Sequence, residues 1–265
     1  MNSPALELPA LLVGRRGLVL GGSTENSVGF QIARQLQALG AEVAVSVRPS
    51  RSQLLPRLGE LGLLGLELEA RDESSMERLA ARLAEHFGQL DFLVHTLVHV
   101  PDGALSRPVL ELSERELGDV MEVGVRSLLV AARHFRPLLV KSDAARIVTL
   151  LSGGADFAMP NYHAVGMAKA ALGAALRYLA AELGPERILC NAVNFSILES
   201  DAAKRVIGEE RTLQTRAHLS KRSMTRVPLE YADVTRAVAF LCSPLCSNLT
   251  GEVLTIDAGF SRSYF

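Results

Sequence analysis

Apolar runs rich in Val, Ile and Leu alternate along this 265-residue chain with longer stretches of helical spacing. Runs of that kind are buried on both faces, as happens when parallel strands are joined by helical crossovers packed on either side of a sheet. Strands are expected at 17–20, 42–47, 64–69, 92–97, 146–151, 189–193 and 253–256, with helices near 29–39, 76–87, 114–140, 162–183 and 231–242. The fold class is therefore α/β: a doubly wound parallel sheet of about seven strands with helices on both faces, in one domain spanning 1–265. The one long segment assigned neither strand nor helix, 196–229, is polar, rich in Arg and Glu, and follows a strand end. Ligands of open α/β sheets bind at the carboxyl ends of strands, so this segment is placed to be a mobile, substrate-binding lid.

Charge and cysteine usage narrow the classes further. With 28 basic and 29 acidic side chains the net charge is −1, which leaves no electrostatic footprint for nucleic acid or an anionic membrane. The cations are nearly all arginine; lysine occurs only at Lys141, Lys169, Lys204 and Lys221. Cys190, Cys242 and Cys246 are odd in number and lack Cys-x-x-Cys spacing and clustered histidines, so neither a disulfide framework nor a zinc site is suggested, and buried free thiols in a reducing compartment are the simpler reading. The run Leu6 to Val13 is short, contains Glu7 and Pro9, and has Arg15-Arg16 after it, where a signal peptide carries its positive charge before. No apolar run approaches the roughly 20 residues of a membrane helix. A soluble cytoplasmic protein is expected.

Directly after the first strand comes Gly21-Gly22-Ser23-Thr24-Glu25-Asn26-Ser27-Val28-Gly29, which opens the first helix. Glycines permit a tight turn and a close approach of backbone to a pyrophosphate, and free amides at a helix start attract anionic oxygen. Ser23 and Ser27 can add hydroxyl donors. The spacing is not a strict Gly-x-Gly-x-x-Gly, so a plain turn with helix capping is the competing reading; the order of strand, loop and helix favours a nucleotide. After the second strand stands Arg48-Pro49-Ser50-Arg51, where an NAD-specific fold places an acid for the ribose 2′-hydroxyl. Arg48 can pair with the 2′-phosphate of NADPH instead, or be a solvated surface arginine. Glu69, at the end of the third strand, is a candidate neighbour for an adenine ring.

The segment Pro160-Asn161-Tyr162-His163-Ala164-Val165-Gly166-Met167-Ala168-Lys169 begins an alanine-rich helix. A tyrosine and a lysine two helical turns apart lie on one face, with about 10 Å between their Cα atoms. That leaves room for a ribose and a reacting carbonyl. An ammonium nearby favours the phenolate and lowers a tyrosine pKa, which suits a proton donor or oxyanion stabiliser. A tyrosine and a lysine on an amphipathic surface is the alternative.

Together with the terminal Gly251-Glu252-Val253-Leu254-Thr255-Ile256-Asp257-Ala258-Gly259-Phe260-Ser261, these segments resemble an enoyl-(acyl-carrier-protein) reductase, the divergent Tyr-x6-Lys type of the short-chain dehydrogenase/reductase superfamily. The match runs in order over nearly the whole chain. Most of the superfamily has Tyr-x3-Lys, and Val165 occupies the place of that tyrosine. The resemblance implies a Rossmann-like fold, NADH or NADPH as cofactor, and reduction of a trans-2-enoyl thioester on acyl carrier protein or coenzyme A, in fatty-acid or polyketide-type biosynthesis. It implies that Tyr162 stabilises the enolate and that Lys169 holds the nicotinamide ribose. It also implies a homotetramer, with helices 114–140 and 162–183 at one interface through Leu128 to Ala132 and Ala170 to Ala175.

Three departures from the family pattern surround the expected cofactor. Ser152 stands ten positions before the tyrosine, where relatives carry a second aromatic residue; it is similar to the hydroxyl that polarises a carbonyl in ketone reductases of the superfamily, although Gly153 and Gly154 could instead mark a loosened loop. Thr96-Leu97-Val98 replaces a Ser-Ile-Gly type segment, and β-branched Val98 removes the clearance that glycine gives the cofactor ribose. Ser196-Ile197-Leu198 replaces Gly-Pro-Ile beside the nicotinamide, which changes the backbone options of that loop. An active reductase with a reshaped pocket fits these facts, and so does a scaffold that has lost hydride transfer and serves as a cyclase or lyase type enzyme or as a structural partner in a biosynthetic complex. Tyr162 and Lys169 favour the first; Val98 and Ser196-Ile197 favour the second. His99 is either an acid or base at a strand end or an exposed loop histidine, and His163 faces away from its neighbour Tyr162 and is assigned no chemistry.

Overall fold

Seven strands form one parallel sheet in the computed structural model, which describes residues 10–101 and 108–263. In chain order the elements are β1 (Arg16–Leu20), α1 (Val28–Ala38), β2 (Glu42–Val47), α2 (Leu55–Glu60), β3 (Leu64–Glu67), α3 (Glu73–Phe87), β4 (Phe92–His95), α4 (Glu114–Met121), α5 (Ser127–Leu139), β5 (Arg146–Ser152), α6 (His163–Leu183), β6 (Leu189–Phe195), α7 (Asp201–Ile207), α8 (Glu209–Arg222), α9 (Tyr231–Cys242) and β7 (Val253–Ile256). The spatial order is β3-β2-β1-β4-β5-β6-β7. It reverses between β1 and β4, whose ends pair Leu20 with His95, and such a reversal opens a crevice at the carboxyl ends of the two strands.

Strand alternation divides the core into two layers. Leu18 and Leu20 of β1 face the layer built by Leu83 of α3, Leu128 of α5 and Leu172 of α6. Val19, between them, faces Ile32 of α1, Leu58 of α2 and Val238 of α9. Helix starts are set by local chemistry: Ser27 caps α1, Asp72 caps α3, and Ser113 with Glu116 forms a capping box on α4. The three cysteines are free and buried in these layers.

The structure corrects several sequence expectations. The single helix expected at 114–140 is interrupted by a widened π turn, Glu122–Arg126, because an inserted residue leaves the apolar pattern nearly unchanged. The third and fourth strands stop at Glu67 and His95, short of Glu69 and Leu97. A short 3-10 segment, Pro49–Leu54, and α2 follow β2, where no helix is expected. The polar stretch 196–229 contains α7 and α8, whose few buried positions give no apolar stripe to read. Part of the N-terminal run, residues 6–9, lies outside the described residues. Among the described residues no helix is long and apolar enough to cross a membrane.

Candidate active site

At the crevice the chain packs backbone on backbone. Gly21 has φ +111, and a Cβ there would lie 2.5 Å from Thr96 Oγ1; one on Gly29 would lie 2.5 Å from the Gly21 carbonyl oxygen. Only glycine allows this seating of the α1 start on the loop after β1. The loop is further held by Ser46 of β2, whose Oγ accepts from Gly21 N at 3.1 Å and whose carbonyl accepts from Gly22 N at 2.9 Å. Thr96 Oγ1 donates to Leu20 O at 2.7 Å and ties the β4 end to β1. The result is a cradle at the N-terminus of α1 that fits a dinucleotide pyrophosphate. Ser23 and Val28 lie half-buried on this loop. Ser27 is not a free donor: it gives its proton to Thr24 O at 2.7 Å and accepts from Phe30 N, so capping takes its capacity.

The other expected cofactor contacts are less uniform. Val98, 37% exposed, follows β4 at the mouth of the crevice. Arg48 is exposed at the end of β2. Glu69 lies two residues past the β3 end and turns its carboxylate to the Arg71 amide. Leu198 is buried in the α1–α9 layer, so its side chain is committed to the core and only its backbone can meet a ligand.

The reactive groups gather where β5 meets α6. Tyr162 is the N-cap of α6 and not part of its first turn, and its hydroxyl lies 3.2 Å from Ser152 Oγ at the end of β5. Its ring rests on Gly154, where a Cβ would come within 2.5 Å of the ring; a Cβ on Gly166 would in turn strike Gly154 O at 2.7 Å. The two glycines after Ser152 therefore do not loosen the loop; Gly154 brings it against the tyrosine. Lys169 Nζ donates to Leu150 O at 2.7 Å, and burial lowers its pKa to about 8. The sequence expectation that the lysine would lower the tyrosine pKa fails here. Burial raises the Tyr162 pKa, and the Ser152 hydrogen bond opposes that only in part. The phenol therefore stays protonated, with a hydrogen available to donate.

His95 lies behind Lys169. Ser127 donates its proton to Val123 O at 2.6 Å, so His95 Nε2, 2.8 Å from Ser127 Oγ, must carry the hydrogen of that bond. His95 Nδ1 then accepts from Thr149 Oγ1 at 3.1 Å. Burial, and next the Lys169 charge, push the imidazole pKa down from 6.5 to about 3. The unfolded chain binds the extra proton between those values, so stability is full above pH 6.5 and is lost as pH falls toward 3. From pH 7 to pH 5 the parent should lose about 2 kcal/mol more unfolding free energy than a His95→Gln variant. Urea melts at both pH values check this, and parallel losses would refute it.

A second cluster fastens the loop from the far end of the chain. Asn26 Nδ2 donates to Glu199 O at 3.2 Å and to Asp201 Oδ1 at 2.9 Å, while Tyr231 OH donates to Asn26 O at 2.7 Å. The Asn26 bond holds the Asp201 carboxyl below its usual range. Burial, then the Asp201 and Glu199 charges, push Tyr231 up to about 12. Beside it lies a cavity of about 210 Å³ with Glu199, Arg216 and Glu230 in its walls. Lys204 pairs with Glu199 and Glu209, both at 2.9 Å. Sequence reading misses these ties because their partners are 173 to 205 residues apart. Ser46, Thr149 and His95, polar residues inside apolar strands, carried a readable signal.

Comparison with known proteins agrees with the fold. Residues 21–261 match the family model described as Enoyl-(Acyl carrier protein) reductase. The enoyl-(acyl-carrier-protein) reductase (NADH) FabI of Synechocystis sp. is 30% identical over 255 residues, covering 94% of this chain and 97% of that protein. The crystal structure of the corresponding reductase (NADH) from Aquifex aeolicus VF5 superimposes with a TM-score of 0.89 at 27% identity, covering 96% of this chain and 99% of that one. The reductase from Anaplasma phagocytophilum, solved in complex with NAD, gives the same TM-score and identity over 97% and 98%. This chain belongs to the enoyl-(acyl-carrier-protein) reductase family.

Proposed function

We propose that this chain reduces the carbon–carbon double bond of a trans-2-enoyl thioester, with NADH or NADPH as cofactor. The observation that carries this reading is the Tyr162 hydroxyl held 3.2 Å from Ser152 Oγ, with Lys169 on the same helix. Gly21, Gly22, Ser23 and the amides before Val28 form the pyrophosphate cradle; Lys169 reaches the ribose, and Arg48 and Glu69 flank the adenosine end. Val98 and Leu198 border the nicotinamide. A reduced nicotinamide, when bound, supplies the hydride that adds to C3 of the substrate. Negative charge then develops on the thioester oxygen, where the protonated Tyr162 phenol and the Ser152 hydroxyl donate to it, and a solvent proton completes the reduction at C2.

Family membership and the retention of Tyr162 and Lys169 weigh against a scaffold without hydride transfer. The substrate is carried on acyl carrier protein or coenzyme A, in fatty-acid or polyketide-type biosynthesis in the cytoplasm. Residues 1–265 act as one domain, with 196–229 as the substrate-binding lid. Exposed Leu129 on α5 and Met167 and Tyr178 on α6 suit burial in a homotetramer. The test is incubation with crotonyl-coenzyme A and each reduced nucleotide, followed by mass analysis. We expect the saturated thioester with turnover on the order of 1–10 per second. No saturated product with either nucleotide would sink the reading.

A further inference from the structure

Six residues of β6 are buried, and the seventh, Phe195 at its carboxyl end, is only half-buried. Strand register sets this residue beside the reacting groups: Phe195 is the partner of Ser152 on β5 and, on its other side, of Ile256 on β7. Side chains alternate along a strand, and Ser152 and Phe195 each stand two positions beyond a member of the same core layer, Leu150 and Val193. The two residues therefore share one face of the sheet, with about 4.8 Å between their strands. Phe195 and Ile256 both pack against that layer, so the ring is supported by the core and by β7 while part of it stays open. A large apolar ring left open at a strand end, next to two hydroxyl donors, has the character of a ligand-pocket wall.

Covalent geometry limits what can lie between this ring and Ser152. In the reductase reading the thioester oxygen accepts from Tyr162 and Ser152, whose hydroxyl oxygens are 3.2 Å apart, and so sits about 2.8 Å from each. One C=O bond and one C–C bond then hold C2 of the substrate about 2.4 Å from that oxygen. The donor pair cannot drift to make room, because Ser152 belongs to a strand and the Tyr162 ring rests on Gly154. A hydrogen on C2 needs no further space. A methyl on C2 reaches one bond further, against a ring that the core and β7 support from behind, and added volume at a packed wall is unfavourable.

We propose that Phe195 is a specificity-determining residue, whose ring closes the space beside the Tyr162–Ser152 pair and confines the chain to 2-enoyl thioesters with hydrogen on C2, excluding those with a 2-methyl branch. The proposal rests on the reductase reading and deepens it by naming the substrate class. Phe195 belongs to a strand and to no motif; only its register with Ser152 makes it part of the site.

The test compares kcat/KM for crotonyl-coenzyme A and trans-2-methylbut-2-enoyl-coenzyme A, with each reduced nucleotide, in the full-length parent, Phe195→Ala and Phe195→Leu. The parent should favour the unbranched thioester at least about tenfold. The two thioesters differ in intrinsic reactivity, but that difference is common to all three proteins and cancels when their preferences are compared. Phe195→Ala should lower the preference about tenfold, and Phe195→Leu by a smaller factor. Circular dichroism melts establish that each variant is folded; Phe195→Leu, which keeps apolar cover over the core layer, carries the test if Phe195→Ala does not fold. A parent that reduces both thioesters equally well, or an unchanged preference in the folded variant with the smallest side chain, would overturn the proposal while leaving the reductase reading in place. Reduction of neither thioester by the parent would overturn both.

Discussion

Tyr162→Phe is expected to lower turnover on a trans-2-enoyl thioester by about two to three orders of magnitude and to leave nucleotide affinity within about twofold. The ring of the variant still packs on Gly154, so the change removes one hydroxyl and little else. Burial keeps that phenol protonated and Ser152 holds its direction, so its hydroxyl can donate to the oxygen. The loss should fall on kcat, because the oxygen gains its charge only in the transition state. Single-turnover rates and nucleotide titrations on the same preparation check both halves. Full turnover in the variant would remove the tyrosine from the chemistry and leave Ser152 as the oxyanion donor.

Replacing Lys169 with Met should do two opposite things. Nucleotide affinity is expected to fall at least about tenfold, because the charged donor to the ribose is gone. Thermal stability should rise. The folded pKa, about 8, is below the unfolded 10.5, so the unfolded chain holds the proton more tightly between those values. The cost of the buried ammonium is fully present below pH 8 and is relieved as pH rises from 8 to 10.5. At about 1.4 kcal/mol per unit it reaches about 3 kcal/mol at neutral pH, and leaving Leu150 O without its partner returns about 1–2 kcal/mol of that. A net gain of about 1–2 kcal/mol remains for the variant at pH 7. For the parent, nucleotide affinity should decline above about pH 8 as the ammonium is lost. A variant that melts lower would show that Lys169 is well solvated, and unchanged affinity would remove it from the ribose.

Legibility followed the range of the interactions. The strands at 42–47 and 253–256 and the helix at 231–242 lie where apolar periodicity places them, because burial on one or two faces writes itself locally. Spacing and resemblance singled out Tyr162, Lys169 and Ser152, which the structure places around one strand end. The tyrosine electrostatics were not legible. Spacing shows that a lysine is near, but burial and the turn of Lys169 toward Leu150 O decide the sign. Gly154 looked like slack and is a contact, since its tightness depends on where Tyr162 returns eight residues later. The widened turn at Glu122–Arg126 was hidden because one additional residue barely alters a helical pattern. The ties of Asn26 to Asp201 and Tyr231 have no local signature at all.

Those ties set an order of events in the life of the molecule. Tyr231, whose hydroxyl donates to Asn26 of the glycine loop, is made 205 residues after it. At ordinary translation speeds that gap lasts about 10–40 s, during which the emerging strands and first helix can collapse while the loop waits for its fasteners. The tie to Tyr231 forms only after residue 231 is made, so a ribosome-bound fragment that stops short of it lacks this fastening of the loop.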